Sequence, residues 1–531
     1  MLISLTSYSQ RIAGNSYWFY FTDKNGNGYR VDQAREFLTD RSVDRRAFQA
    51  IPIDQHDLPV SQEYIDSLQM LGLEIRYVSK WLNGAVVRGD DQALIDTLFR
   101  YGFIDTLMWE ADPYDTYLPE VPPGNRFEPA NSNPLIFEYG NSFDQIHQLR
   151  VDALHEIGYT GKGVWLAVLD AGFTDLPNLP AFQVPLENGQ IIEARNFVND
   201  DDIYSMHPHG MNVSSLIIAN WPDTLMGIAP DVNLLLAATE NPESETRLEE
   251  FSWIRGAEWA DSLGADIINT SLGYTTFDDS STNYSYKAMD GKTAHISIAN
   301  GMTASRGMLS VTSAGNSGNS DWYYIGAPAD AFDILSVGAV DKEGMLASFS
   351  SRGPSYDHRI KPEVVAMGSL AAVQGSDGTA RFGSGTSFSS PLMAGAAAVL
   401  WQAHPYLSAK ELIQSILEAG SRYTTADAAY GYGIPNFKLA YHAISSTNSI
   451  STDPGFKVFP NPVSGFVNIS VDQQMRGMYD VRIYDMQGRT IMQYEAEIPG
   501  QIEISSAIQP GIYILEIDKG SGPLRTRIIK Y

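Results

Sequence analysis

Ser387 lies between a glycine-rich turn and a long run of small apolar residues. The turn spans residues 382–386, and the run over residues 393–400 is typical of a central helix. A hydroxyl at the amino end of a helix lies where developing negative charge is stabilised, so Ser387 is a candidate nucleophile. We expect Pro391 in the first turn of this helix, where its missing N–H costs no hydrogen bond.

A serine nucleophile needs a base, and two upstream segments contain suitable partners. Residues 164–169 are a continuous apolar run that ends at Asp170, which is typical of a buried parallel strand. His209 is followed by a glycine and a run that is typical of a helix. Because active sites form at the carboxyl ends of parallel strands, Asp170, His209 and Ser387 are predicted to act as acid, base and nucleophile.

His207 competes with His209 for the role of base. We prefer His209 because Gly210 follows it and the predicted helix begins there, whereas His207 precedes Pro208 in a predicted loop. The chain order Asp…His…Ser and the lack of a G-x-S-x-G sequence argue against an α/β-hydrolase arrangement. Each of these motifs taken alone could have a purely structural role; a lone Gly-Thr-Ser, for example, is usually a turn.

Three motifs resemble those of the subtilisin-like serine proteases (subtilases). The family patterns D-[ST]-G, H-G-T-x-V and G-T-S-M-A-x-P correspond to residues 170–172, 209–213 and 385–391. The departures are Ala171, Met211 and the pair Phe388 and Ser389, and none of them replaces a predicted triad residue. They therefore bear on substrate preference rather than on activity.

A fourth motif, at residues 309–316, resembles the family segment whose asparagine donates its side-chain amide to the oxyanion. The resemblance carries that role to Asn316, and a fixed dipole aimed at an oxyanion is among the largest contributions to acyl-transfer catalysis.

The resemblance covers roughly residues 150–445. It implies that the walls and floor of the specificity pocket are Ser271, Leu272, Gly273, Ser313, Ala314, Gly315 and Gly326. These small, uncharged residues favour apolar substrate side chains, unless the loop at 278–290 supplies a carboxylate.

The composition is strongly acidic. The 531 residues carry 36 basic and 63 acidic side chains, for a formal net charge of −27. Such a chain lacks the basic face that a phosphate backbone requires, which argues against a nucleic-acid partner. The length accommodates two or three domains. The chain has no cysteine, but a chain of this size can be stable without disulfides.

The first 112 residues divide into two predicted segments. Residues 1–10 resemble the tail of a signal peptide without its basic region; the alternative is a cytoplasmic protein with a ragged start. Residues 11–112 predict an α+β domain in the order β-α-β-β-α-β. Its strands are predicted at 17–22, 74–80, 85–88 and 104–109, and its helices at 62–71 and after Asp91. This order resembles a ferredoxin-like subtilase propeptide, which implies a chaperone and inhibitor; the alternative is an accessory domain.

The remaining boundaries follow from composition. Residues 113–136 are rich in proline, which predicts a linker and a processing region. The catalytic domain is expected at 137–445, and a polar linker at 446–455. Residues 456–531 are predicted to be β-rich, and they resemble the carboxy-terminal sorting domain of the type IX secretion system. The alternative for this segment is a small adhesive β-sandwich.

The sequence therefore predicts an α/β fold with a subtilisin-like parallel sheet flanked by helices, an α+β (ferredoxin-like) propeptide before it and a small all-β sandwich after it. The predicted function is a secreted serine endopeptidase that forms an acyl-enzyme, exported across the bacterial outer membrane. The alternative is a catalytically inactive subtilase-like surface binding protein.

The resemblance also implies the partners and cofactors. The partners are protein or peptide substrates, the chain's own propeptide as inhibitor and the outer-membrane secretion machinery. No cofactor is required for the chemistry. The resemblance allows structural calcium, but the acidic run at residues 200–202 is more typical of a solvated loop, so no metal ligand is assigned.

Overall fold

Seven parallel strands form the largest sheet in a computed structural model of the chain. The structure describes residues 10–130 and 137–448 and, in the carboxy-terminal region, residues 456–459, 465–471, 476–485, 489–505, 508, 511–518 and 523–530. The signal-peptide prediction lies outside the described residues except at Gln10, as do the ends of both predicted linkers. The chain divides into two units, residues 1–440 and 441–531, and each is described by itself.

The amino-terminal domain has the predicted order of elements. Its strands are β1 (Gln10–Ala13), β2 (Ser16–Phe21), β3 (Ile53–Asp54), β4 (Glu74–Ser79), β5 (Gly84–Arg88), β6 (Ile104–Asp105) and β7 (Thr116–Tyr117), and its helices are α1 (Asp40–Phe48), α2 (Gln62–Met70) and α3 (Gln92–Thr97). The main sheet is antiparallel in the order β1-β2-β5-β4, and β6 also pairs with β2. Strands β2, β4, β5 and β6 with helices α2 and α3 therefore form the expected ferredoxin-like unit. The sequence did not predict β1, and β6 is shorter than expected.

The central domain contains the large sheet. Its strands are β8 (Trp165–Asp170), β9 (Ile191–Asn196), β10 (Asn220–Trp221), β11 (Leu225–Met226), β12 (Asn233–Ala238), β13 (Ile267–Thr270), β14 (Leu309–Ser313), β15 (Leu335–Val340), β16 (Val364–Met367), β17 (Ala371–Gln374) and β18 (Ala380–Gly383). The seven-stranded sheet has the order β16-β15-β14-β13-β8-β12-β9, and all its pairs are parallel. All carboxyl ends therefore lie at one edge of the sheet, which brings the residues after β8, β13 and β14 together.

Helices pack on this sheet and hold the remaining site residues. They are α4 (Phe143–Gln148), α5 (Asp152–His155), α6 (Gln183–Glu187), α7 (His209–Ile218), α8 (Leu248–Leu263), α9 (His295–Ser305), α10 (Thr386–Ala403), α11 (Ala409–Glu418) and α12 (Phe437–Asn448). Helix α10 packs against α7 and against β13 to β16, and nearly all its side chains are buried. The prediction of a central helix behind Ser387 is confirmed. Among the described residues, no helix combines the length and apolarity needed to cross a bilayer.

The carboxy-terminal unit contains two antiparallel sheets around one apolar core. Its strands are β19 (Phe456–Phe459), β20 (Phe466–Val471), β21 (Gly477–Asp485), β22 (Thr490–Ile498), β23 (Gly500–Glu503), β24 (Gly511–Asp518) and β25 (Leu524–Lys530). They form sheets in the orders β19-β20-β23 and β22-β21-β24-β25. Val467 and Ile502 from the first sheet pack with Val481 and Leu515 from the second. The predicted small all-β sandwich is confirmed.

Candidate active site

Asp170 and His209 form a hydrogen-bonded pair at the carboxyl edge of the large sheet. Asp170 ends β8 and is buried, and its Oδ1 lies 2.7 Å from Nδ1 of His209, the first residue of α7. Burial acts to lower the pKa of His209, but the Asp170 carboxylate outweighs it, so this pKa is raised. Burial and the nearby His209 lower the pKa of His207. The carboxylate therefore stabilises a proton on His209, whereas burial and the charge of His209 disfavour a proton on His207.

Ser387 lies in the first turn of α10, on the same edge of the sheet. Its Oγ donates to the backbone oxygen of Ser271 at 3.0 Å, and Oγ of Ser271 donates to the backbone oxygen of Ser387 at 3.0 Å. The ring of Phe388 stacks beside the ring of His209, with centroids 6.2 Å apart. The serine hydroxyl is engaged with Ser271 and makes no hydrogen bond to His209. Such contacts are often long in enzymes without substrate.

The position predicted for Pro391 was wrong, and the reason concerns Ser387. Helix α10 begins at Thr386, so Pro391 is its sixth residue and lies inside the helix. A proline there cannot donate to the carbonyl four residues earlier, which is that of Ser387. The hydroxyl of Ser271 donates to this carbonyl instead. The proline therefore leaves a free acceptor that joins the nucleophile's backbone to the end of β13.

Asn316 follows β14, and the oxygen of its side-chain amide is held by Thr386. Its Oδ1 accepts hydrogen bonds from the backbone N–H of Thr386 at 2.9 Å and from the Thr386 hydroxyl at 3.0 Å. Because Oδ1 is held by Thr386, the amide Nδ2 is turned away from it. The backbone N–H of Ser387 lies in the first turn of α10, where N–H groups have no partner within the helix. Nδ2 of Asn316 and the backbone N of Ser387 lie near each other, 3.6 and 3.7 Å from the point where a Cβ on Gly385 would stand.

A pocket of about 160 Å³ adjoins Ser387 and Asn316. Its lining contains all the residues that the sequence assigned to it: Ser271, Leu272, Gly273, Ser313, Ala314, Gly315 and Gly326. The backbone of Gly315 has a φ of +104°, and a Cβ there would lie 2.9 Å from Oγ of Ser351, so a larger residue would be strained and would displace the Ser351 side chain. Thr275, Ser317 and Ser351 also line the pocket, and the sequence analysis missed them. No acidic residue is among the described lining residues.

Comparison with known proteins decides the family. The model described as "Subtilase family" matches residues 161–433, just over half of the chain. The chain belongs to the subtilase family. Models described as "Peptidase S8 propeptide domain, Bacteroidota" and "Secretion system C-terminal sorting domain" match residues 16–119 and 457–531. The protein is therefore a subtilisin-like serine peptidase with a propeptide domain and a type IX sorting domain, and it is secreted or attached to the cell surface.

Individual subtilases resemble the chain over its central part. Subtilisin E of Bacillus subtilis (strain 168) is 31% identical over 315 residues, which cover 58% of this chain and 73% of the relative. Subtilisin of Bacillus pumilus is 31% identical over 303 residues, which cover 56% of this chain and 97% of the relative. The solved self-cleaved protease domain of PatA has 25% identity and a TM-score of 0.42, over 53% of this chain and 97% of that structure.

The pocket beside Ser387 predicts the residue that this subtilase prefers before the scissile bond (P1). Burying a Phe or Leu side chain there should contribute about 1.5–3 kcal/mol, whereas a buried Lys or Arg would lack a counter-charge and incur a desolvation cost. We expect P1 preference for Phe, Tyr, Leu or Met over Lys, Arg and Asp, measured by profiling cleavage of a peptide library. Gly326→Val should reduce cleavage after Phe, because even a Cβ there meets Thr275 at 3.1 Å. A dominant preference for Lys or Arg at P1 would contradict this prediction.

A second, larger cavity of about 550 Å³ adjoins the Asp170–His209 pair. Residues 271–273 line both cavities, which therefore share a wall. Besides Asp170, the lining of the larger cavity contains five acidic residues, Glu240, Glu243, Glu245, Glu249 and Asp278. Asp278 thus lines this cavity and not the pocket beside Ser387. The sequence analysis missed the four glutamates, although the cluster of glutamates directly after β12 was a visible signal.

Three of these acids lie close enough to share a cation. The carboxylate oxygens of Glu240, Glu245 and Glu249 lie within 4.8 Å of one another. The acidic run at residues 200–202 forms no such group in the part of the chain that the structure describes, and Asp202 instead accepts from the backbone N–H of Tyr204 at 3.1 Å. Calcium binding is typical of the family, but the peptidase chemistry needs no cofactor.

The propeptide domain is attached to the catalytic domain through buried charges on α8. Oε1 of Glu258 accepts from the Ser79 hydroxyl at 2.6 Å and from the backbone N–H of Trp81 at 2.9 Å, and its Oε2 accepts from the backbone N–H of Lys80 at 3.2 Å. Asp261 pairs with Arg45 and Arg46, and all three side chains are fully buried. The ring of Trp18 stacks on Phe251, with centroids 4.7 Å apart.

Proposed function

We propose that this subtilase is a secreted endopeptidase that cleaves peptide bonds through Asp170, His209 and Ser387. The proposal rests on the 2.7 Å hydrogen bond between Asp170 and His209 at the edge of the sheet where α10 presents Ser387. The amide of Asn316, fixed by Thr386, completes the arrangement. This combination of base, nucleophile and anion donors is that of acyl transfer.

The mechanism follows from the order in which these groups meet a substrate. Oγ of Ser387 attacks the scissile carbonyl while His209 takes its proton, and Asp170 stabilises the imidazolium. The oxyanion accepts hydrogen bonds from Nδ2 of Asn316 and from the backbone N–H of Ser387. His209 then gives the proton to the leaving amine, and an acyl-enzyme remains. Water attacks this ester with the same base, and Ser387 is restored.

A catalytically inactive surface binding protein is the second candidate. The observation that favours it is the hydrogen bond from the Ser387 hydroxyl to the backbone of Ser271 in place of His209. Incubation of the purified protein with casein, with and without a serine-directed covalent inhibitor, separates the two. Hydrolysis that the inhibitor blocks supports the peptidase, whereas an intact substrate and no label on Ser387 support the binding protein.

The propeptide is proposed to act as a folding partner and inhibitor of the catalytic domain. Its support is the contact with α8, in which Glu258 accepts three hydrogen bonds. Inhibition stays a prediction, because none of the described residues before Asp170 lines either cavity. Adding the separate propeptide domain to the mature enzyme and measuring residual activity tests it.

Glu258→Ala is expected to weaken the propeptide contact. The change leaves the backbone N–H groups of Lys80 and Trp81 buried without an acceptor, and each such group costs about 1–3 kcal/mol. The yield of active enzyme after refolding should therefore fall. Glu187→Ala, an exposed glutamate on α6, is the matched control and should refold like the parent chain. Equal yields from both variants would show that this contact does not assist folding.

Deleting residues 456–531 is expected to leave a folded, active peptidase that stays inside the cell envelope of its native host. The reason is that this segment has its own apolar core, as expected of an independent domain. The measurements are caseinolytic activity and the amount of enzyme in the medium and in the envelope fraction. Normal secretion of the truncated chain would refute the sorting role.

A further inference from the structure

The acidic wall of the larger cavity is not used by the catalytic steps above. Glu249 is the most informative residue of this wall, because it is only 3% exposed. Its Oε1 accepts from the backbone N–H of Thr246 at 3.0 Å. Its Oε2 is buried, and in the described part of the chain only the carboxyl of Glu240 stands within hydrogen-bonding reach of it. Buried polar atoms of native proteins normally have a partner of their own, so a carboxylate oxygen that only a second carboxyl approaches indicates a missing positive group.

No basic side chain compensates the charge of this wall. None of the five acids has an ion pair with Lys or Arg among the described residues. The nearest arginine in the sequence, Arg247, is engaged elsewhere, since it pairs with Glu250 at 3.0 Å and donates to the Tyr284 hydroxyl. Glu240 accepts from the Tyr274 hydroxyl, which is a neutral donor. The cavity therefore offers negative charge to whatever enters it.

The acids repel one another as expected of an uncompensated cluster. Burial and neighbouring carboxylates raise the pKa of Glu245 to about 7 and that of Glu249 to about 8. Burial and the Glu249 carboxylate raise the pKa of Glu240 well above its ordinary value. Protons relieve the repulsion in the free enzyme, and a bound positive group would relieve it in their place.

The position of the wall identifies the source of that positive group. Residues 271–273 form one side of the pocket for the P1 side chain and continue into the larger cavity. A peptide whose P1 side chain fills the first pocket would therefore have a neighbouring residue beside this shared wall, within reach of the larger cavity.

We propose that this cavity binds a lysine or arginine side chain located two to four residues before the scissile bond. The inference rests on the proposed peptidase function and adds a substrate class to it: peptides with a basic residue before an apolar P1 residue. A long cationic side chain suits the site, because its methylene groups can follow Leu272 while its charged end reaches the carboxylates. A metal ion is the competing occupant, but calcium requires six to eight oxygen ligands, and the cluster offers three carboxylates at the side of an open cleft.

The test uses the secreted enzyme and peptides that differ at one position. All peptides carry Phe at P1, and Lys, Gln or Glu is placed in turn at P2, P3 and P4 and at the first two positions after the bond. Assays run at pH 9, above the pKa values of Glu245 and Glu249, with either excess EDTA or added calcium. We expect kcat/KM for Lys to exceed that for Gln by roughly 10–100-fold at one of P2 to P4, as for other hydrogen bonds between charged groups.

Variants assign the preference to the cavity. In Glu245→Gln/Glu249→Gln the ratio of Lys to Gln should fall to near 1, and Glu245→Lys should favour Glu over Lys at the same position. Glu156→Gln/Glu187→Gln removes the same charge from exposed sites and should keep the parent ratio. A melting temperature for each variant shows that it is folded, and Glu245→Lys keeps the test decisive if the double variant does not fold.

The outcomes separate this inference from the proposed function. Hydrolysis with equal rates for Lys and Gln at P2 to P4, or a preference only after the bond, overturns the inference and leaves the peptidase assignment in place. A preference that calcium abolishes and EDTA restores shows that a metal occupies the cavity, and also overturns it. Failure to cleave any peptide, with Ser387 unreactive toward a serine-directed inhibitor, overturns the proposed function itself.

Discussion

Ser387→Ala is expected to abolish peptide hydrolysis and to leave the precursor at full length. Without Oγ no acyl-enzyme forms, and the corresponding change in subtilisin lowers kcat by ~10⁶. Neighbouring serines cannot replace it. The Ser389 hydroxyl donates to the backbone of Thr386 at 2.9 Å, the Ser390 hydroxyl donates to Asn269 at 2.8 Å, and both residues are fully buried. Casein hydrolysis and the mass of the chain recovered from culture medium measure the two effects.

The matched control is Ser384→Ala, at the residue that directly follows β18. Ser384 is exposed, and its Oγ accepts from the backbone N–H of Leu370 at 3.0 Å without taking part in the site. It should keep both hydrolysis and processing. Full activity of Ser387→Ala would contradict the assignment of the nucleophile. Lost hydrolysis with normal processing would show that another peptidase cleaves the precursor.

The three residues of the proposed triad could be picked out from the sequence because each lies in a local motif. Asp170 ends an apolar run, His209 begins a helix and Ser387 lies in the first turn of another, and the parallel sheet brings these ends together. The pocket residues could be predicted for the same reason, since residues 271–273 follow β13 and residues 313–315 stand at the carboxyl end of β14, and the apolar pattern of both strands is visible in the sequence. The local sequence pattern and the parallel order of the strands are together sufficient to locate these residues in the fold.

The features that the sequence did not predict depend on contacts between distant segments. Arg45 and Arg46 lie on a short polar helix that would be expected to face solvent, yet both are buried by pairing with Asp261. Arg126 lies in a proline-rich linker, yet it is buried against Asp266 at 3.1 Å and over the ring of Trp401. A charged residue is buried only where a partner exists, and that partner is not identifiable from local sequence.

The acidic cavity likewise depends on contacts between segments that are distant in the sequence. Glu240 and Glu249 are near each other in sequence, but Asp278 reaches the cavity only because the loop after β13 folds back on it. Its Oδ2 accepts from the backbone N–H of Glu245 at 3.1 Å. From the sequence, this loop was a candidate to place a carboxylate in the P1 pocket. The structure puts the charge beside the other cavity, which separates an apolar P1 site from an acidic neighbour.

Asn316→Ala is expected to lower kcat by ~10²–10³, about 2.7–4 kcal/mol, with little change in KM, a magnitude established for an oxyanion donor in subtilisin. Thr386 holds Oδ1 of this amide, and in the proposed mechanism Nδ2 binds a charge that develops only during the reaction, so its loss should leave substrate binding intact. Asn319→Ala, an exposed residue of the same loop, is the control and should keep the parent kcat. Steady-state kinetics on one peptide with Phe at P1 measures both constants. A loss confined to KM would show that Asn316 only shapes the pocket, because an interaction made equally in the ground state and the transition state leaves kcat unchanged.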